Sequence, residues 1–270
     1  MTAAAVAPPS ATRIGRARCR LELLLFFREP AQVIFSFAYP VLMMLIFASV
    51  FRNDTVAGGV TYKQYFLSGI AATGIMLASF QALGIRIALE RDEGELARLQ
   101  ALGTPPSAYF CGKAAQVLAT TTIQLVALLL VASLAFDVPM PTDAEHWLTF
   151  LWVAVLGSLA GTVLGIAVSL LPRRGRSADT IVATIALVLQ FFSGVFFVYS
   201  RLPPWMRDVA AVFPLKWLTQ GMRSAFLPDA AKRAEVSGSW QHGWTALVLT
   251  VWIVVGVVVC ARSFRWRSSD

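Results

Sequence analysis

"ALERDEGELARLQALGTPPSAYFCGK", residues 88–113, is a charged island in a chain that is 57% hydrophobic. It packs Glu90, Arg91, Asp92, Glu93, Glu95 and Arg98 into nine positions and then stops at Pro105-Pro106. Apolar runs flank it on both sides, near 65–88 and 113–136, each reaching the roughly 20 residues that a helix needs to cross a bilayer core. The island therefore reads as a short helix outside the membrane, joining two spans.

Four more runs of spanning length lie near 31–51, 147–171, 179–200 and 244–261. With a mean hydropathy of +0.66 and only 14% charged residues, the bilayer is the expected solvent. The expected fold is all-α integral membrane, a single domain of six spans over 30–261. Its one long connection, 201–243, contains Pro203, Pro204, Pro214, Gly221, Pro228 and Gly238.

Lys and Arg set the orientation, because basic residues are retained on the cytoplasmic side. The amino tail, the loops after spans two and four, and the carboxyl tail hold 15 of the 23 basic residues. Both termini are thus expected in the cytoplasm of a multi-pass protein of the cell (inner) membrane. The net charge of +8 follows from this distribution and from anionic lipid, with no nucleic-acid partner implied. Cys19, Cys111 and Cys260 all map to or near the reducing side, so no disulfide is expected.

Residues 1–11 are Ala/Pro/Ser-rich and read as a disordered tail. The first apolar run is too long and too late for a cleavable signal peptide. Over 12–29 a helix would place Ile14, Ala17, Leu21, Leu24 and Leu25 on one face and Arg13, Arg16 and Arg20 on another, a basic amphipathic helix for the cytoplasmic interface. Residues 262–270 are the cytoplasmic tail. In the fourth span Gly157, Gly161 and Gly165 recur every four residues, marking a close helix approach within the chain or between subunits. No acid or base sits near the middle of any span, which argues against proton- or ion-coupled transport.

Within the island, Ile85, Leu89, Leu96, Leu99 and Gly103 share one helical face, opposite Arg86, Glu90, Arg91 and Arg98. Arg91–Glu95 and Glu95–Arg98 are spaced for ion pairs. Gly94 marks a bend, and Thr104-Pro105-Pro106 ends the helix. Glu90, Asp92, Glu93 and Glu95 make it more acidic than a lipid-surface helix, so a protein partner suits it better.

Glu90-x-x-x-Gly94-x-Leu96-x-x-Leu99, then Thr104-Pro105 and Gly112-Lys113, resembles the permease subunits of ABC-2-type ABC exporters, among them the daunorubicin-resistance-like transporters. "RLPPWMRDVAAVFPLKWLTQGMRSAF", residues 201–226, is similar to the outer segment of that family. Glu95 stands where the family usually has Thr. The resemblance covers nearly the whole chain. It implies a coupling helix between spans two and three, docked on a separate ABC ATPase through Glu90, Glu93, Gly94, Glu95, Leu96 and Leu99. It also implies a second permease copy or paralogue, and short re-entrant outer helices forming a gate at Pro203, Pro204, Trp205 and Pro214. ATP and Mg would reside on the ATPase, with no cofactor in this chain.

The residues themselves offer no phosphate loop. Around Gly112-Lys113, Ser107 stands where the first Gly of that motif belongs and Ala114 where its hydroxyl residue belongs. His146 and His242 are far apart and outside any metal-binding spacing, so no metal is expected. Met76, Phe80 and Gln81 of the second span, with Gln190, Phe192 and Phe196 of the fifth, are candidates for a path suited to hydrophobic or amphipathic compounds such as a drug, an antibiotic or a lipid. The reading that unites these observations is an export permease without its own ATPase site. Its rivals are an integral-membrane lipid-modifying enzyme, which lacks clustered catalytic groups, and a secondary transporter, which lacks intramembrane charge and a visible repeat.

Overall fold

The computed structural model describes residues 11–51, 55–56, 59–172 and 175–263. The expected tail thus lies outside the described residues, except Ala11, which opens the first helix. The elements are α1 (Ala11–Arg28), α2 (Pro30–Val50), a two-stranded hairpin β1 (Thr55–Val56) and β2 (Val60–Thr61), α3 (Tyr62–Met76), α4 (Leu83–Asp92), α5 (Glu95–Ala101) and α6 (Pro106–Phe136). Then come α7 (Ala144–Val168), α8 (Gly175–Phe192), α9 (Pro204–Val212), α10 (Pro214–Phe226) and α11 (His242–Ser263). Six helical stretches are long and apolar enough to cross a membrane: α2, the continuous α3–α4 rod, α6, α7, α8 and α11. The chain is an all-α, multi-pass membrane protein.

Proline and capping chemistry set several helix starts. Pro30, Pro106, Pro204 and Pro214 occupy first turns, where their missing N–H groups would be unpaired in any case. At α3, Thr61 and Gln64 form a reciprocal capping box. The fifth span is shorter than expected. α8 ends at Phe192, and Gly194 at φ +73 turns the chain, so Phe196, Phe197 and Tyr199 are not on its wall. Apolar character continued through this turn and concealed it.

The α3–α4 rod is the central helix, with 78% of its most apolar stretch buried, whereas α2 and α11 stay largely open at 17% and 22%. Between α3 and α4 the rod widens into a π-helical turn, Leu77–Ala82. The glycine stripe of α7 lies against this turn. A Cβ on Gly161 would sit 1.9 Å from Ser79 Oγ, and one on Gly165 would sit 2.7 Å from the Ser79 carbonyl oxygen. Gly157 meets Leu218 of α10 in the same way, at 2.3 Å. The stripe is therefore used for packing within the chain.

Two ends can be distinguished by contacts. Near α5, Arg91 Nη2 donates to the Pro172 carbonyl at 2.8 Å, and Cys260 Sγ on α11 lies 3.5 Å from the Val163 carbonyl. At the opposite end, Lys63 Nζ donates to the Phe136 carbonyl at 2.7 Å. There α10 is buried along its whole length against α3, α7 and α11, as a helix inside the bundle.

Candidate functional site: a hinged charged helix and the ion network behind it

α5 is a seven-residue helix between two glycines in left-handed backbone, Gly94 at φ +79 and Gly103 at φ +70. L-residues adopt that conformation only with strain, so these positions fix where the chain turns. The stop is at Gly103 and not at Pro105: Thr104 N–H reaches back to the Leu99 carbonyl at 3.1 Å, the six-to-one bond of a Schellman ending. Pro105 and Pro106 start α6 instead.

Leu96 is completely buried beside Leu83, Ile87, Tyr109 and Val117, and it fastens α5 to the bundle. Leu99 is half-buried, and Asp92, Glu93, Glu95 and Arg98 are exposed. Leu102, just past the helix, is 71% exposed. The ion pairs expected for Arg91 and Arg98 with Glu95 do not form among the described residues. Arg91 instead satisfies a carbonyl at the end of the α7 region.

Glu90 is the main correction to the expected site. It is turned inward, 2% exposed, and takes Lys113 Nζ at 2.5 Å and Tyr109 Oη–H at 2.7 Å. Lys113, itself fully buried, also donates to Glu22 of α1 at 2.8 Å. Arg18 pairs with the other Glu22 oxygen at 2.6 Å, and Arg86 reaches Glu90 at 3.2 Å and Glu29 at 2.9 Å. One ammonium thus joins α1, α4 and α6. Two carboxylates are satisfied by its fixed charge, the arrangement that makes burying ions tolerable.

Gly112 completes the arrangement: a Cβ there would sit 2.8 Å from Arg18 Cγ, so α1 crosses α6 at that point. The adjacent Gly112-Lys113 pair has a physical reason at each position, close helix approach and charge pairing. Glu22 escaped sequence reasoning because the wheel for α1 weighed only its apolar and basic positions. A lone acid four residues after Arg18 in Leu-Glu-Leu-Leu-Leu was the available signal.

The six path candidates separate. Met76 and Phe80 are in the hydrophobic core. Phe192 meets Trp205 edge-on at 5.7 Å, while Phe196 stacks with Phe47 at 6.0 Å on another side. Gln81 and Gln190 do come together. With Gln124, Tyr39, Asp179 and Arg86 they line an open cleft of ≈ 890 Å³ between α2, the π-helical turn and α8. Tyr39 Oη–H points to Gln190 Oε1 at 3.5 Å. Gln124, from α6, was not anticipated.

At the outer candidates, Trp205 is 59% exposed at the start of α9, and Pro214 is buried at the start of α10. Behind them is a second network that sequence reasoning missed. Arg223, fully buried, forms a two-pronged pair with Glu235 at 2.5 and 3.3 Å, and Gln220 donates to the Trp240 carbonyl at 3.1 Å. Burial works against Arg223's charge, but Glu235 outweighs it and leaves the guanidinium pKa above its usual value. Lys216 has only Gln220 as a hydrogen-bond partner among the described residues, at 2.6 Å, and lies 3.3 Å over the Trp217 ring. Burial pushes its pKa down to about 8. The four- and three-residue spacing of Lys216, Gln220 and Arg223 on one helical face was the legible sign.

Residues 17–227 match the profile of the ABC-2 type transporter family. This chain belongs to that family. Among its relatives, it is 23% identical over 203 residues to a Porphyra purpurea protein named as a transport permease, ycf38, covering 73% of this chain and 68% of that one. It is 22% identical over 189 residues to an Escherichia coli K12 protein named as a multidrug ABC transporter permease, YbhR, covering 70% of this chain. The match spans only 50% of YbhR's length. A Bacillus subtilis protein named as a transport permease, YvfS, is 21% identical over 193 residues, covering 72% of this chain and 77% of its own. As an ABC-2 permease, the chain is a transport component, and its family implies partnership with an ABC ATPase.

Proposed function

We propose that this ABC-2 permease is the membrane half of an ATP-driven exporter, with ATP and Mg bound on a separate ABC ATPase subunit that docks on α5. The observation that carries this reading is α5 itself: a short helix hinged at two glycines, exposed along Glu93, Glu95, Arg98 and Leu102, and held from behind by Leu96. A helix so placed can lie in a groove of a partner and pass its displacement into α4 and α6. Lys113 extends that connection to α1. In this account Glu90 and Leu96 hold the lever, while Glu93 and Glu95 meet basic residues of the ATPase.

The cleft beside Gln81, Gln124 and Gln190 is the proposed path. Its carboxamides and Tyr39 suit an uncharged amphipathic or hydrophobic compound, for which a few fixed polar groups give orientation. The exposed faces of α2 and α8 leave room for a second permease copy or paralogue to enclose it. Pro203, Pro204, Trp205 and Pro214 would close the outer mouth. The α5 end would face the cytoplasm of the inner membrane, in keeping with its basic residues.

The test is copurification of ATPase activity with the permease and its response to Glu93→Lys/Glu95→Lys. The double reversal should abolish association and transport while leaving the permease folded. Unchanged association and transport would remove α5 from the role.

A further inference from the structure

α1 and the amino-terminal part of α6 leave a groove of ≈ 910 Å³ on the flank of the bundle. Leu23, Leu24 and Phe27 line it from α1, with Ala108, Cys111 and Ala115 from α6. Leu24 and Phe27 are 45% and 47% exposed, so this wall is open to the surroundings. Arg20 and Arg16 border the same groove one and two turns before Leu24, toward the start of α1. Arg18, Arg86 and Lys113 are neutralised by carboxylates, but Arg16 and Arg20 are exposed and have no acidic partner among the described residues. An apolar channel with two uncompensated guanidiniums at one end has the charge pattern of a phospholipid's complement.

We propose that this groove binds one anionic phospholipid, with its phosphate on Arg16 and Arg20 and an acyl chain along Leu23, Leu24 and Phe27. Guanidinium groups hold phosphate by paired, charge-assisted hydrogen bonds. Two of them with no local acid favour a headgroup of net negative charge over one whose choline cancels the phosphate. An acidic protein segment would match the arginines but leave the apolar stripe uncovered; a lipid covers both. The bound lipid presses α1 against α6, behind the Glu22–Lys113 contact. The proposal rests on assigning the α5 end to the cytoplasmic leaflet, but its test needs neither orientation nor ATPase.

Cys111 is exposed within the groove, and Cys260 is buried elsewhere, so the chain contains its own reporter and control. The purified full chain in detergent is titrated with short-chain phosphatidylglycerol, the matching phosphatidylcholine, or inorganic phosphate. Maleimide alkylation at each cysteine is followed by peptide mass spectrometry. Phosphatidylglycerol should slow Cys111 alkylation at roughly thirtyfold lower concentration than phosphatidylcholine, the ratio that two basic side chains at an anionic lipid surface supply. Phosphate alone should do nothing, and Cys260 should not respond. Arg16→Gln/Arg20→Gln should erase the preference, and Arg16→Lys/Arg20→Lys should retain most of it.

Equal protection by both lipids would overturn the proposal in favour of a general acyl groove. Protection by phosphate alone would make it a free-anion site. Shielding of Cys111 only in the copurified ATPase complex would make it a protein interface. The wild-type comparison decides among these even if the glutamine variant does not fold.

Discussion

Replacing Lys113 with Met removes the one ammonium shared by Glu22 and Glu90 while keeping most of the side-chain volume. Both carboxylates are at least 97% buried and lie 2.8 and 2.5 Å from Nζ, so neither can recover its lost partner from water. Breaking a buried pair costs about 3–5 kcal/mol. Arg18 at 2.6 Å from Glu22 and Arg86 at 3.2 Å from Glu90 remain, which places the cost near the lower end, about 3 kcal/mol. For a chain of this size that is roughly 6–12 °C in Tm. The assay is thermal unfolding of the detergent-solubilised permease, followed by tryptophan fluorescence. Adding Glu90→Gln to Lys113→Met neutralises the carboxylate left with the longer contact, while Glu22 keeps Arg18 and Arg86 keeps Glu29, and should restore part of the loss, since buried charges are often replaceable by neutral groups. A Lys113→Met protein within about 2 °C of wild type, or a double variant no better than the single, would refute the idea that this network is held by charge pairing.

Gly161→Val should lower Tm by several degrees, because its Cβ would meet Ser79 Oγ at 1.9 Å, whereas Gly15→Ala, with nothing within 4 Å, should be neutral or stabilising in the same melt. Gly94→Ala and Gly103→Ala put a Cβ on left-handed backbone, at a cost of about 1–2 kcal/mol each, and should weaken ATPase stimulation more than Tm. Lys216 has a folded pKa below its ordinary value, so below about pH 8 its charge is destabilising, and stability should rise with pH between about 8 and 10.5 as the folded form sheds the proton first. Lys216→Met should therefore raise Tm at pH 7 and lose that advantage by pH 10.5; a pH-independent difference would exclude Lys216 as the cause.

The spans were legible because a bilayer demands apolar length, and that signal is written into every residue of a run. The end of the fifth was not, because Ser193-Gly194 interrupts a stretch whose apolar character continues through Phe196 and Phe197. The π-helical turn was equally hidden, since Leu77–Ala82 has no composition that separates it from the α-helix around it. Gly94 is readable as a bend, as an L-residue takes its left-handed backbone only with strain. Helical spacing puts Gly103 on the apolar face, but its left-handed backbone makes it the stop. Glu90 illustrates a deeper limit: helix periodicity put it among the charged positions, but only the presence of Lys113 and Tyr109 from α6 turns that face inward. The same holds for Glu22, Gln124 and the Arg223–Glu235 pair, whose roles arise from contacts between distant segments.

Site-specific photocrosslinking compares the α5 end with the opposite one directly. Leu102, 71% exposed just after α5, and Leu134, 80% exposed near the far end of α6, are each replaced by a photoreactive residue in cells that also express the partner ABC ATPase. Docking on α5 predicts a permease–ATPase adduct from position 102, lost in the Glu93→Lys/Glu95→Lys background, and none from position 134. An ATPase adduct from position 134, or none from 102 while the two proteins still copurify, would contradict docking on α5.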